Sequence, residues 1–289
     1  MDSSERDTSA NAEMIEYWND HAGPSWVRFQ KKMDGQISGI GKTTMDRAGI
    51  NAGQRVLDIG CGCGDSTLEL ARRVGPAGAV RGIDISAPML ALAEQRAALE
   101  PALKLEFQQL DAQTADFSSD PFAHVFSRFG VMFFDDPVSA FGNILNALAA
   151  DGRLTFICWR PLEENPWMGV PLGVTYEFVA PPEASPPGAP GHFQLADEDR
   201  ARQILEAAGY ADILLEALDE PFYLSGPGTA ADAAAHATQM GPVARVLADS
   251  DEDTVQRVEA ALVETLTPYY DGTGVRMDSA CWIVSARAG

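Results

Sequence analysis

The sequence predicts an α/β protein: a sheet of strands flanked by helices, with one ligand site at the carboxyl ends of the strands. Three observations predict it. A buried apolar run, residues 56–59, enters a glycine-rich turn at 60–64 and leaves it as a helical segment. Strand, glycine turn and helix in that order are how open α/β sheets present a nucleotide site. Further strand-like apolar runs then alternate with helical ones, and successive runs end on acidic residues.

The elements follow in order. The first strand leads through Asp58 into Gly60, Cys61, Gly62, Cys63 and Gly64. A dinucleotide loop needs G-x-G-x-x-G, whose third glycine packs helix onto strand. Here the glycines fall at 60, 62 and 64, and position 65 is Asp. The helix at 66–74 stops at Gly75, a residue that tolerates the left-handed conformation of a helix end. A second strand over 79–85 carries Asp84 at its end, where one carboxylate can accept both ribose hydroxyls of a nucleoside. Ser86 is placed to cap a helix running through Ala98, with Pro88 in its first turn and Met89 projecting toward the site. A third strand, 104–110, ends at Asp111-Ala112. A fourth covers 124–130 and includes Ser127 and Arg128. The helix at 139–149 is closed by Asp151-Gly152, and a fifth strand spans 153–159.

A G-x-G-x-G turn after an acidic residue, an acidic end on the second strand, Asp-Ala after the third and Asp-Gly before the fifth resemble, in that order, the motifs of the class I S-adenosylmethionine (SAM) methyltransferases. Segments 126–137 and 158–167 are also similar to a bacterial small-molecule subgroup related to the quinone-biosynthesis C-methyltransferases. The resemblance covers about residues 15–220 well and the last quarter of the chain loosely. It implies a Rossmann-like, seven-stranded, mostly parallel sheet with helices on both faces, an N-terminal helical cap and a helical insertion between strands six and seven. It implies SAM as cofactor and S-adenosylhomocysteine as product. It places Asp111 on the adenine amino group, with a neighbouring backbone N–H reading the ring nitrogen, and Met89 near the adenine. Ser127 and Arg128 come beside the methionine half, and Trp26 in a segment that closes over the cofactor. The expected cofactor contacts are thus Trp26, Asp58, Gly60, Cys61, Gly62, Gly64, Asp84, Ile85, Met89, Asp111, Ala112, Ser127 and Arg128.

On this plan, residues 1–12 are a polar, disordered terminus, 13–50 the helical cap and 51–160 the cofactor-binding core. Residues 161–196, with Pro161, Pro166, Pro171 and a Pro-rich run at 180–190, read as a surface loop or lid, since proline suits neither helix interior nor central strand. Residues 197–222 and 279–289 complete the core with a helix at 197–209 and strands at 211–218 and 280–286. Between them, 223–278 forms a substrate-side insertion with helices at 229–248 and 252–268. In the second of these, Val255, Val258, Leu262, Thr265, Leu266 and Tyr269 form one amphipathic stripe. Cap, loop and insertion would roof the site, which suits a small, partly apolar substrate.

Charge supports that choice. The 289 residues hold 42 acidic and 21 basic side chains, a net charge of −21. A field of that sign repels nucleic-acid backbones and anionic membranes. No apolar run approaches the roughly 20 residues of a membrane span, and the N-terminus has no signal-peptide pattern. These features predict a cytoplasmic protein, with oligomeric state left open. The four cysteines, 61, 63, 158 and 281, form no C-x-x-C pair and are expected to be reduced thiols without a metal.

Single residues keep two readings. Trp26 either covers the cofactor or packs the cap, whereas Trp18 packs. Arg128 either binds a carboxylate of cofactor or substrate, or pairs with Asp135 or Asp136. His124 opens the fourth strand, away from the reactive end, and is structural. His21 and His192 are surface histidines near the pocket. No general base is identified. Three functions fit: a small-molecule methyltransferase, a SAM-fold protein with another activity, and a nicotinamide oxidoreductase, against which Asp65 argues.

Overall fold

The computed structural model describes residues 11–118, 121–183, 186 and 188–289. A seven-stranded sheet forms its centre, in the order β3-β2-β1-β4-β5-β9-β6. The strands are β1 (Arg55–Ile59), β2 (Ala79–Asp84), β3 (Leu105–Gln109), β4 (Phe122–Arg128), β5 (Leu148–Trp159), β6 (Tyr210–Asp219) and β9 (Ala280–Ala288). All pair in parallel except β9, which is antiparallel to both β5 and β6. Two short strands, β7 (Phe222–Tyr223) and β8 (Arg276–Met277), form a separate ribbon. Strand order reverses between β1 and β4, so the loop leaving β1 opens at the topological switch point where such sheets bind ligands.

Helices cover the sheet. They are α1 (Ala12–Glu16), α2 (Ala22–Ala48), α3 (Asp65–Val74), α4 (Ala87–Ala97), α5 (Pro137–Leu145), α6 (Pro166–Thr175), α7 (Glu198–Ala207), α8 (Ala230–Gln239), α9 (Pro242–Val246) and α10 (Glu252–Leu266). A π-helical turn, Tyr17–His21, joins α1 to α2. In the core, Leu57, Val125, Phe126, Leu154, Phe156 and Ile157 are fully buried. Strands covered on both faces read as continuous apolar runs, which is why they were visible in the sequence.

Several expectations change. The disordered terminus lies mostly at residues 1–10, outside the described residues, but Asn11 is buried and Ala12 opens a helix. Asp151 and Gly152 do not close a helix. They lie within β5, because Phe122 pairs with Leu148 while His124 pairs with Arg153, so the intervening residues bulge out of the ladder. The segment read as a loop contains α6, with Pro166 in its first turn and Pro171 inside. Met168, Pro171, Leu172 and Thr175 are its buried stripe, and burying that face outweighs the backbone bond Pro171 cannot make. The helix expected at 229–248 is two, α8 and α9, broken at Gly241, whose φ of 81° ends one before Pro242 starts the next. In α10, Val258, Leu262 and Leu266 are buried, whereas Tyr269 lies beyond the helix and is 37% exposed.

Candidate active site

The site assembles where β1, β2, β3 and β4 end. Leaving β1, the chain turns toward β2: the N–H groups of Gly60 and Cys61 both donate to the carbonyl of Ile83, at 2.9 and 3.1 Å. Gly60 has φ 65°, and a Cβ there would lie 2.6 Å from the Cα of Gly130 on the neighbouring strand end. Only glycine meets both conditions. Gly64 caps α3 with φ 83°, and a Cβ there would press at 3.0 Å on Ala93 and Phe107. Gly64 thus supplies the close packing that a dinucleotide loop assigns to a glycine one residue later.

Asp58 is fully buried. Its Oδ2 accepts from Ser66 Oγ at 2.7 Å and from Thr67 Oγ1 at 2.6 Å, which ties β1 to the first turn of α3. Its Oδ1 is buried with no hydrogen-bond partner among the described residues. Burial pushes the Asp58 carboxyl up to about 6, against the lowering effect of the two hydroxyls. Asp84, half-buried, accepts from the backbone N–H of Gly62 and of Ser86, each at 2.8 Å. A carboxylate has about four lone-pair sites, and with the Ile85 N–H also directed at Asp84, capacity for about one further donor remains. Burial raises the Asp84 carboxyl, and these backbone donors oppose the rise. Met89 is buried, its Cε 2.8 Å from where a Cβ on Gly62 would stand.

Asp111 follows β3. Its Oδ1 accepts from the Gln113 N–H and its Oδ2 from Asn11 Nδ2, both at 2.8 Å. Ala112 is buried beside it, and its carbonyl accepts from Asn143 Nδ2. The Ile85 carbonyl accepts from Asn19 Nδ2 at 3.0 Å and from Gln109 Nε2 at 3.1 Å. Ser86 occupies the N-cap of α4 as expected, but its hydroxyl donates to the carbonyl of Trp18 at 2.8 Å rather than capping the helix.

At the end of β4, the Ser127 hydroxyl is committed: it donates to the Ile59 carbonyl at 2.7 Å and accepts from the Gly130 N–H at 3.2 Å. Arg128 does not pair with Asp135 or Asp136. Its Nη1 lies 2.7 Å from Asp65 Oδ2 and its Nη2 3.8 Å from Asp34 Oδ1. Ser38 donates to the same Asp65 oxygen, and Arg96 bridges Asp34 and Asp65. This cluster fixes α2 to the glycine loop. Asp136 instead caps α5 through the Ser139 N–H.

Trp26 is half-buried and packs edge-on to Trp18 at 6.2 Å, and Trp18 packs edge-on to Phe133 at 5.3 Å. Cys61, Cys63, Cys158 and Cys281 are all free and buried. Burial pushes the Cys63 thiol up to about 12 and Cys61 well above its usual range, so neither supplies a thiolate. His124 is buried against Thr155 Oγ1 at 3.1 Å, and burial lowers it to about 4. His192, expected at the surface, is half-buried against Phe133, and burial lowers it to about 4 as well. Asn11, Asn19, Asp65 and Gly130 shape the site without having been singled out as its ligands. Their partners lie far along the chain, and no motif marks them.

Residues 56–152 match the family model described as a methyltransferase domain. Aklanonic acid methyltransferase DauC of Streptomyces sp. (strain C5) is 33% identical over 117 residues, 40% of this chain and 53% of that protein. A demethylmenaquinone methyltransferase of Lactococcus lactis is 34% identical over 114 residues, 39% of this chain and 45% of that protein. The chain therefore spans about half the length of these curated relatives. Among solved structures, YcgJ of Bacillus subtilis superposes with a TM-score of 0.56 at 18% identity, covering 87% of this chain and all of that one, which shows the fold. No helix among the described residues is long and apolar enough to cross a membrane. With the glycine loop, the acidic strand ends and the strand order, these matches show that residues 56–152 carry a methyltransferase domain of the class I S-adenosylmethionine-dependent kind.

Proposed function

We propose that this protein transfers the methyl group of SAM to a small-molecule acceptor. The observation that carries the reading is the Asp84 carboxylate, held by the N–H groups of Gly62 and Ser86 with capacity left for a ribose hydroxyl. Asp111 supplies a second acceptor for an adenine amino group. The unpartnered Oδ1 of Asp58 fits a cofactor that brings a positive charge near the loop.

When bound, SAM supplies an electrophilic methyl on a positively charged sulfur. What the chain contributes is position and dryness. In-line displacement depends on holding the acceptor against the methyl, and exclusion of water suppresses side reactions. At the ends of β4 and β5, Phe129 and Trp159 stack at 4.1 Å, and Trp167 and Phe222 extend this aromatic wall. Phe129, Trp159 and Phe222 are buried in the core, and the acceptors named for the two relatives, aklanonic acid and demethylmenaquinone, are the first candidates. A net charge of −21 argues against a nucleic-acid acceptor.

The test is calorimetry with SAM, S-adenosylhomocysteine and NAD. It is followed by incubation of enzyme and SAM with flat phenols and quinols, read by mass spectrometry. Binding of both sulfur nucleosides without NAD, and products heavier by one methyl group, are expected. Binding of NAD alone would sink the reading.

A further inference from the structure

Four aromatic rings run edge to face from the N-terminal cap to the segment that follows α6. Trp26 lies 6.2 Å from Trp18, Trp18 5.3 Å from Phe133, and Phe133 5.7 Å from His192, each pair edge-on. Unlike Phe129 and Trp159, all four are half-buried, so each keeps surface on which a ligand can lie. Phe133 closes the turn that leaves β4, Gly130–Phe133, shortly after Arg128. The row therefore passes the strand end that the cofactor reading sets beside the methionine half of SAM.

His192 is fixed at the end of this row. The Gly191 N–H donates to the Met132 carbonyl at 2.9 Å, which ties the preceding residue to the same turn. Gln194 Nε2 donates to the carbonyls of Phe134 at 2.7 Å and of Gly188 at 3.1 Å. Trp282 Nε1, on β9, donates to the Ala196 carbonyl at 2.8 Å, so the sheet holds the far end. Residues 188–196 thus form a shelf rather than a free loop. A side chain that reads a ligand needs such a rigid support.

The imidazole has hydrogen-bonding capacity to spare. His124 is bonded to Thr155 Oγ1 within the sheet, and His236 has its Nδ1 sealed without a partner. His192 differs from both. Among the described residues its ring nitrogens bond to no protein group, and neither is sealed from solvent. Burial, helped by the nearby Arg245 charge, lowers it to about 4. At neutral pH the ring therefore carries one N–H donor and one bare nitrogen that accepts.

We infer that His192 determines acceptor specificity: its ring accepts a hydrogen bond from the hydroxyl of a flat aromatic acceptor lying along the row from Trp26 to Phe133. The inference rests on the methyl-transfer reading proposed above. A hydroxyl donates to the bare nitrogen. The methyl ether of the same ring system has no proton to give and leaves that nitrogen unpaired.

The full-length protein, saturated with S-adenosylhomocysteine, is titrated by calorimetry with naphthol and with its methyl ether. The His192→Phe variant is titrated alongside; it keeps a ring against Phe133 and loses both nitrogens. Naphthol should bind the unmodified protein about tenfold more tightly than the ether, the scale of one hydrogen bond whose loss leaves a partner unpaired. The variant should bind the two alike, with its binding of S-adenosylhomocysteine reporting that it is folded. By magnetic resonance on the unmodified protein, naphthol should shift the ring-nitrogen signals of His192, assigned through the backbone, and the ether should not. Equal affinities, or a preference that survives in His192→Phe, overturns the inference and leaves the methyltransferase reading standing. So does failure of naphthol to bind a protein that holds S-adenosylhomocysteine. No binding of S-adenosylhomocysteine overturns both. If the variant does not fold, the resonance comparison decides alone.

Discussion

Asp84, the last residue of β2, accepts a hydrogen bond from the backbone N–H of Gly62 at 2.8 Å. The carboxylate that ends one strand therefore sets the path of the loop leaving its neighbour. Asp84→Ala removes that tie together with the proposed ribose acceptor. SAM affinity should fall by about 1–3 kcal/mol, the range for a hydrogen bond to a charged group and the desolvation its loss leaves behind. Calorimetry checks this, and an unchanged constant in a folded variant would remove Asp84 from the site.

Gly130 is constrained by space alone. A Cβ there would meet the Ile59 carbonyl oxygen at 2.7 Å and Gly60 Cα at 2.8 Å, both backbone atoms. Gly130→Ala should cost about 1–3 kcal/mol by overpacking and should weaken cofactor binding through the displaced loop. Gly142→Ala in α5 is the control, because its Cβ would meet nothing closer than 3.9 Å. There the helix should be unchanged or gain up to about 1 kcal/mol. Urea midpoints of the two variants should move apart.

Arg128 holds two carboxylates that would otherwise face each other. Burial and the nearby Asp65 already push the Asp34 carboxyl up. Arg128→Met leaves both acids to Arg96 and should cost about 1–3 kcal/mol. Adding Asp34→Asn removes one of them and should restore part of that loss. A double-mutant cycle measures the coupling, and strictly additive losses would show that the ion cluster does not act as a unit.

Two buried groups give stability opposite pH slopes. The folded Asp58 carboxyl is raised to about 6 from its ordinary 3.8, so the native state holds the extra proton in between. Stability therefore falls as pH rises through that window, by about 3 kcal/mol. His124 is lowered from 6.5 to about 4, so the unfolded state takes up the proton first. Stability then falls as pH drops from 6.5 toward 4, again by about 3 kcal/mol. In urea unfolding from pH 4 to 7, Asp58→Asn should gain on the unmodified protein with rising pH, and His124→Gln should gain with falling pH. Parallel curves would contradict both assignments.

What was legible in the sequence was chemistry tied to short spacing. The glycines after Asp58 and the carboxylate closing β2 sit at fixed offsets from strong apolar runs, so the alternation of strands and helices and the turn leaving β1 followed. What was not legible depended on distance along the chain. Asp135 and Asp136 looked like partners for Arg128 because they are near it in sequence, yet Asp65, 63 residues earlier, holds it. Asn11 looked like part of an unstructured tail, because the carboxylate it meets lies 100 residues on. Pro171 suggested a loop, and the stripe of Met168, Leu172 and Thr175 around it was the better signal. The bulge before Arg153 is a property of pairing, which periodicity along a single strand does not reveal.

The place of β9 has a consequence for how the chain reaches this state. It lies between β5 and β6 and is antiparallel to both. Until residues 280–288 are available, β6 has no partner in the sheet and β5 carries an open edge. The half that bears the glycine loop, β3 through β5, can pair on a nascent chain while the ribosome is still adding the insertion helices. The other half must wait, since long-range strand pairing is slow and unpaired edges invite association with other chains. A ribosome that stalls before Ala280 would therefore release a polypeptide with a formed nucleotide edge and an exposed, aggregation-prone flank.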